Sequence, residues 1–310
     1  MMKEFRILKR IKMTVKIIIK LMELPTLVAS VIPVTYASSL AWVINGKIDF
    51  FKYFLLVIAM MLVQSSANMV NDYADFKRNV DFNKSGEKVL VRGDASPKMA
   101  IIVSAIYCTV ALIIGVYLAI NSSLWILGVA LLAGLVLIFY SVGPKPISYT
   151  PLGEIVSGIT MGFGINLTVF YIQTGRLGMD IFLASIPTVM FIAMLLLTNN
   201  LSDHIEDKLA GRKTMVIVHG VKFGENIWIL MLVTMYIISI IMGVMNIISP
   251  ILLLALFLLF PYKSIKIIKE TEKVVSSKPR LMALSSIVGI RFHGILIIGL
   301  VITKIIELLR

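Results

Sequence analysis

The chain has 310 residues, 58% of them apolar and only 15% charged, with a mean hydropathy of +0.94. A soluble domain carries about a quarter charged residues, so that class is excluded, and the recurring apolar runs of about 20 residues are each long enough to cross a hydrocarbon core. The net charge of +13 sits in the polar breaks on one side of these runs, which assigns it to one membrane face rather than to nucleic acid.

The first 22 residues form a basic lead-in with Lys3, Arg6, Lys9, Arg10, Lys12, Lys16 and Lys20. No small-residue cleavage site follows a short apolar core, so a cleaved signal peptide is not expected. The segment reads as a cytoplasmic amphipathic stretch lying on anionic lipid. Membrane helices are expected at about 24–44 and 53–72. The second ends in a polar segment, Gln64-Ser-Ser-Ala-Asn68-Met-Val-Asn71-Asp72-Tyr-Ala-Asp75, followed by Asn79 and Asp81. Gln64, Asn68, Asn71, Asp72 and Asp75 are spaced i, i+4, i+7, i+8 and i+11, which makes one polar stripe on a helix.

Two further helices are expected at about 99–119 and 124–141; Cys108, the only cysteine, lies in the first and excludes an intrachain disulfide. Next comes Tyr140-Ser-Val-Gly-Pro144-Lys-Pro146-Ile-Ser-Tyr149-Thr-Pro151-Leu-Gly-Glu154. Prolines this close cannot continue a helix, so the segment is either a plain turn or a shaped loop over a site. In the second case Lys145 faces an anionic group, and Tyr140 or Tyr149 offers an aromatic face to a cation or an acceptor.

Helices follow at about 153–173 and 180–201. A second polar segment then runs Asn199-Asn200-Leu-Ser-Asp203-His-Ile-Glu206-Asp207-Lys-Leu-Ala-Gly-Arg212-Lys213, in which Asn199, Asp203, Glu206 and Asp207 share a face. The last three helices are expected at about 225–244, 249–262 and 283–306. The eighth is short, with room to extend to Ile268 if its lysines snorkel. His219 and His293 stand alone without ligand spacing and read as structural, whereas His204 lies beside Asp203. The expected architecture is all-α: about nine membrane helices in one bundle, a single domain over 1–310.

Alternate loops divide the Lys and Arg residues 24 to 5, with Arg291 inside the last helix. This asymmetry puts the N-terminus, both acidic segments and the Lys145 loop in the cytoplasm. Two stripes of amides and carboxylates at one membrane face are costly unless they face a cavity or a partner. Carboxylates at these spacings offer hard oxygen ligands to magnesium, which keeps waters and substrate phosphate oxygens in its shell. Facing pairs would clamp a magnesium-bound diphosphate, with Arg and Lys neutralising the leaving oxygens.

At these residues the chain resembles the UbiA-type intramembrane aromatic prenyltransferases. Asn71, Asp72 and Asp75 match the core of their first signature, and Asp203 and Asp207 match the second. Within that superfamily it looks most like the 1,4-dihydroxy-2-naphthoate polyprenyltransferases of menaquinone synthesis. The likeness runs through Asn71 to Asp81, Gly143 to Tyr149, Leu152 to Glu154, and Asn199 to Gly211 with Thr214. Asn79 stands where many members have a third Asp, a role that Asp81 takes in the naphthoate branch. Ser202, His204-Ile205 and Lys145 also depart from the branch pattern, and these bear on the acceptor.

The resemblance implies Mg2+ bound by Asp72, Asp75, Asp203 and Asp207, with Asp81 and Glu206 in support. It implies a prenyl diphosphate and an aromatic acceptor as substrates, in a lipid bilayer. Asn68, Asn71 and Asn199 are candidate substrate contacts, and Arg78, Arg92, Lys145, Arg212 and Lys213 candidate diphosphate cations. For the naphthoate branch it implies loss of the carboxylate and a demethylmenaquinone-type product. The alternatives are a sibling enzyme acting on 4-hydroxybenzoate, haem or glycerol phosphate, and a secondary transporter with the acidic stripes as its ion path. Nothing in the sequence fixes an oligomeric state.

Overall fold

The computed structural model describes residues 13–80 and 88–309, and every regular element among them is helical. Helix α1 covers residues 13–22, and a 3-10 turn at Leu24–Leu27 leads into α2, Val28–Asn45. Helices α3 (Phe50–Lys77), α4 (Pro97–Ile120) and α5 (Trp125–Ser141) follow. The fifth crossing, Gly153–Thr174, is built from α6 (Gly153–Ser157), a π-helical stretch (Gly158–Phe163) and α7 (Gly164–Thr174). Then come α8 (Met179–Ser202), the short α9 (His204–Leu209) and α10 (Met215–His219), and α11 (Val221–Val244). The chain closes with α12 (Pro250–Leu258), α13 (Tyr262–Glu270) and α14 (Lys278–Leu308).

Eight of the described segments are long and apolar enough to span a membrane, and α5, at 17 residues, is a shorter apolar helix. This is the polytopic all-α bundle expected from the sequence. Helix starts follow side-chain caps. Asp49 Oδ1 accepts the Lys52 N–H at 3.0 Å and Ser96 Oγ that of Met99 at 3.1 Å. Pro97 and Pro250 occupy first turns, where the missing N–H is harmless. The expected helix at 249–262 instead stops at Leu258. Pro261 has no N–H to give and bars helical backbone at Phe260, so the lysine-bearing continuation becomes the separate α13.

The fifth crossing and α8 pack closely. A Cβ on Gly162 would fall 2.5 Å from Val189 Cγ2, and one on Gly158 would fall 3.0 Å from the Val189 carbonyl oxygen. Two glycines four apart therefore let the backbones touch, a common device where water supplies no hydrophobic drive. Interhelical polar contacts add to this. Asn166 donates to Thr188 Oγ1 at 3.0 Å, and Thr188 meets His293 Nε2 at 3.2 Å. Thr198 and Ser285 hydroxyls lie 2.7 Å apart, and Trp228 Nε1 donates to Ser285 at 3.0 Å.

The connections sort to two ends. At one, Asp49 and Gln173 exchange hydrogen bonds of 3.0 and 3.1 Å, and Lys52 reaches the Asn121 carbonyl at 3.4 Å. At the other, Arg78 donates to the Ser141 and Gly143 carbonyls at 2.9 and 2.8 Å, and the Lys213 N–H donates to Tyr149 O at 3.0 Å. Both acidic segments and the proline loop therefore share one end of the bundle. The end of the basic lead-in packs against the bundle. Leu21 is fully buried and clusters with Met69 of α3, Ala100 of α4 and Val89 and Leu90 between them.

Candidate active site

Helix α3 runs five residues past its expected end, so the first acidic stripe lies on continuous helix through Asp75. Asp72 and Asp75 are 4% and 8% exposed. The Asp72 carboxylate pairs with Lys88, whose ammonium also lies 2.8 Å from Glu23 Oε1. Asn68 donates to the Met22 carbonyl and to Thr26 Oγ1 at 2.8 and 2.7 Å, so it ties the turn before α2 to α3. Gln64 donates to its oxygen at 3.2 Å, and Asn71 is half-buried.

The second stripe is made by a kink. At Asp203 the backbone (φ −99°, ψ 6°) separates α8 from α9. The Asp203 N–H still donates to Asn199 O at 3.0 Å, and the Asp207 N–H to Asp203 O at 2.8 Å, so the expected face survives. Asp203 and Asp207 are 1% and 0% exposed, and Lys278 Nζ lies 2.6 Å from Asp203 Oδ2.

Arg212 joins the two stripes. It pairs with Asp75 of the first and stands 3.4 Å from Asp207 of the second. Burial works against its charge, but the two carboxylates outweigh that and raise its pKa above the ordinary arginine value. Its guanidinium also lies over the Tyr149 ring at 4.9 Å, with Arg78 over the same ring at 5.0 Å. The proline loop is thus clasped between the ends of the two acidic segments.

Other expected residues stand apart. Lys145 is exposed on its loop, and Arg92 is exposed beside Asp94 at 3.4 Å. Lys213 is exposed and contributes its backbone N–H. The Tyr140 hydroxyl sits 3.3 Å from where a Cβ on Gly153 would be. Asn199 and Glu206 are half-buried, His204 Nδ1 lies 2.9 Å from Leu201 O, and Asp81 falls outside the described residues.

Among the described residues no group of three or more His, Cys, Asp or Glu side chains is close enough to hold a metal ion. The expected carboxylate set is divided, because basic side chains sit on all four carboxylates: Lys88 on Asp72, Lys278 on Asp203, and Arg212 on Asp75 and on Asp207 of its own segment. A buried carboxylate left without a cation is strongly destabilising. The donor chemistry nonetheless fits magnesium and diphosphate. Among the described residues, Glu206 Oε2, Arg212 Nε, Tyr149 OH and Thr214 Oγ1 are buried without a hydrogen-bond partner. They supply an acceptor for a hydrated metal and donors for phosphate oxygens.

Sequence reasoning did not single out Lys88 or Lys278, which carry no local signal among many loop lysines. It named Glu154 only within the family likeness and gave no role to this fully buried residue, whose Oε1 accepts from Asn200 at 2.9 Å. A carboxylate at the head of an apolar run was the available signal there.

Fold and site define a polytopic helical membrane protein with two carboxylate-bearing helix ends cross-linked at one face. The chain matches the UbiA prenyltransferase family over residues 30–287 and belongs to it. Over 199 residues it is 36% identical to 1,4-dihydroxy-2-naphthoate octaprenyltransferase of Bacillus subtilis, a match spanning 64% of this chain and 64% of that protein's length. It is 30% identical over 236 residues to UbiA prenyltransferase domain-containing protein 1 of Danio rerio, covering 75% of this chain and 70% of the relative. The fold resembles that in a structure of digeranylgeranylglyceryl phosphate synthase (TM-score 0.64, 19% identity, 92% and 98% of the two chains). It also resembles a UbiA homolog from Archaeoglobus fulgidus bound to DMAPP and Mg2+ (TM-score 0.63, 15% identity, 89% and 99%). At these identities the structural likeness is one of fold.

Proposed function

We propose that this chain, a single domain over 1–310, transfers a polyprenyl group from prenyl diphosphate to 1,4-dihydroxy-2-naphthoate with Mg2+. The carrying observation is Arg212, which links Asp75 to Asp207 and so draws both acidic segments to one buried place. Asp72, Asp75, Asp203 and Asp207, with Glu206 and Asp81, are the residues to hold the metal. When bound, magnesium supplies positive charge to the departing diphosphate. Arg212, Tyr149 and Thr214 offer donors to its oxygens, and the buried surroundings strengthen those contacts.

The allylic C–O bond breaks with its electron pair leaving on diphosphate. The ring carbon that bears the carboxylate forms the new C–C bond. The electrons of the bond to the departing carboxylate restore the aromatic ring as carbon dioxide leaves, so the step balances without an oxidant. The prenyl tail runs between helices toward lipid, and the site face is cytoplasmic. The relative of Bacillus subtilis supports the naphthoate as acceptor. The test is product mass after incubating the purified protein with Mg2+, a long prenyl diphosphate, and either dihydroxynaphthoate or 4-hydroxybenzoate. Prenylated naphthoquinol with carbon dioxide release is expected; turnover only with the benzoate, or only with a non-aromatic acceptor, refutes the assignment.

A further inference from the structure

Lys278 is the first residue of α14, and its ammonium lies 2.6 Å from Asp203 Oδ2. A cation there sits at the positive end of the helix dipole, where it is disfavoured, so the residue does not serve its own helix. It serves Asp203, whose side chain is 1% exposed while that of Lys278 is 30% exposed. So deeply buried a carboxylate needs a cation, but a lysine stem reaching in from solvent can withdraw.

The backbone beneath Lys278 is held separately. Lys273 Nζ lies 2.6 Å from Glu225 Oε1 at the start of α11 and donates to the Thr271 carbonyl at 2.6 Å and to that of Ile268. The Ser277 hydroxyl lies 2.6 and 2.9 Å from the Glu272 and Val274 carbonyl oxygens. The connection between α13 and α14 is therefore pinned, and the Lys278 side chain is the part left to move. Arg212 is the contrast: its side chain is 6% exposed and engages Asp75 and Asp207 together.

We propose that Lys278 is an exchangeable counter-ion of the second acidic segment. It neutralises Asp203 in the metal-free protein and yields that carboxylate when a divalent metal binds, which frees its ammonium for the anionic substrate. The proposal rests on the metal and diphosphate reading above and adds a regulation of that site. Lysine and metal compete for one carboxylate, so metal affinity is held below what Asp203 alone would give.

The experiment is Mg2+ binding by titration calorimetry to purified wild type and Lys278→Met, with melting temperatures recorded with and without Mg2+. Removing the competitor should tighten Mg2+ binding by about threefold or more. The metal-free melting temperature should fall, and the rise on adding Mg2+ should exceed that of wild type. Lys278→Arg, which keeps the charge, should bind Mg2+ like wild type. Unchanged or weaker Mg2+ binding in Lys278→Met overturns the exchange alone. No Mg2+ binding by wild type, even with prenyl diphosphate present, overturns the metal reading and this proposal with it. Should Lys278→Met fail to fold, Lys278→Gln carries the same comparison with a neutral donor in place.

Discussion

A carboxylate at a buried membrane face stays ionised only beside a cation, and at this face the pairing is nearly complete. Asp72 has Lys88, Asp203 has Lys278, and Asp75 and Asp207 share Arg212. Asp72→Asn or Asp203→Asn removes a charged metal ligand while its lysine can turn to solvent. Each should lower kcat by about 100-fold or more with the fold intact, by assay and circular dichroism. Asp81→Asn should be as severe if Asp81 stands in for the Asp absent at Asn79. Arg212→Met is different in kind, because it strands two buried carboxylates. It should cost about 3–5 kcal/mol of stability, read as a lowered melting temperature in detergent. The carboxylates were legible in the sequence because helical spacing is a local property. Their partners were not: Arg212 and Asp75 are 137 residues apart, and no spacing rule joins them.

Among the elements, apolar length alone located the spans, and the polar stripe at Gln64 to Asp75 was read on one helix face because α3 continues through it. What periodicity could not carry is contact between helices. The π-helical stretch and its glycines make sense only against Val189 of α8. Gly289 behaves likewise: a Cβ there would lie 1.9 Å from the Phe191 ring, which is fully buried. Gly289→Ala should destabilise by about 1–3 kcal/mol, since neither ring nor backbone has room to yield. Gly115→Ala on α4, with nothing within 4 Å of the added carbon, should be neutral or slightly stabilising. Paired thermal melts of the two variants in one detergent check the contrast.

For the whole molecule, the 24 to 5 division of Lys and Arg and the two-ended sorting of the loops point the same way. Reporter fusions after residues 90, 148 and 210 should report the cytoplasm, and one after 310 the opposite side. A cytoplasmic C-terminus would break the nine-crossing arrangement. The family and the bundle were both readable from the sequence, because they rest on composition and on short motifs. The acceptor was less so, since Ser202, His204 and Lys145 depart from the naphthoate pattern near the site. The most direct test of the central claim is diphosphate release by the purified protein, given prenyl diphosphate and an aromatic acceptor, with and without Mg2+. Release that matches prenylated product, stops on chelation, and is lost in Asp72→Asn and Asp203→Asn is the expected result. Undiminished release in both variants, or none from wild type with any aromatic acceptor, would contradict it.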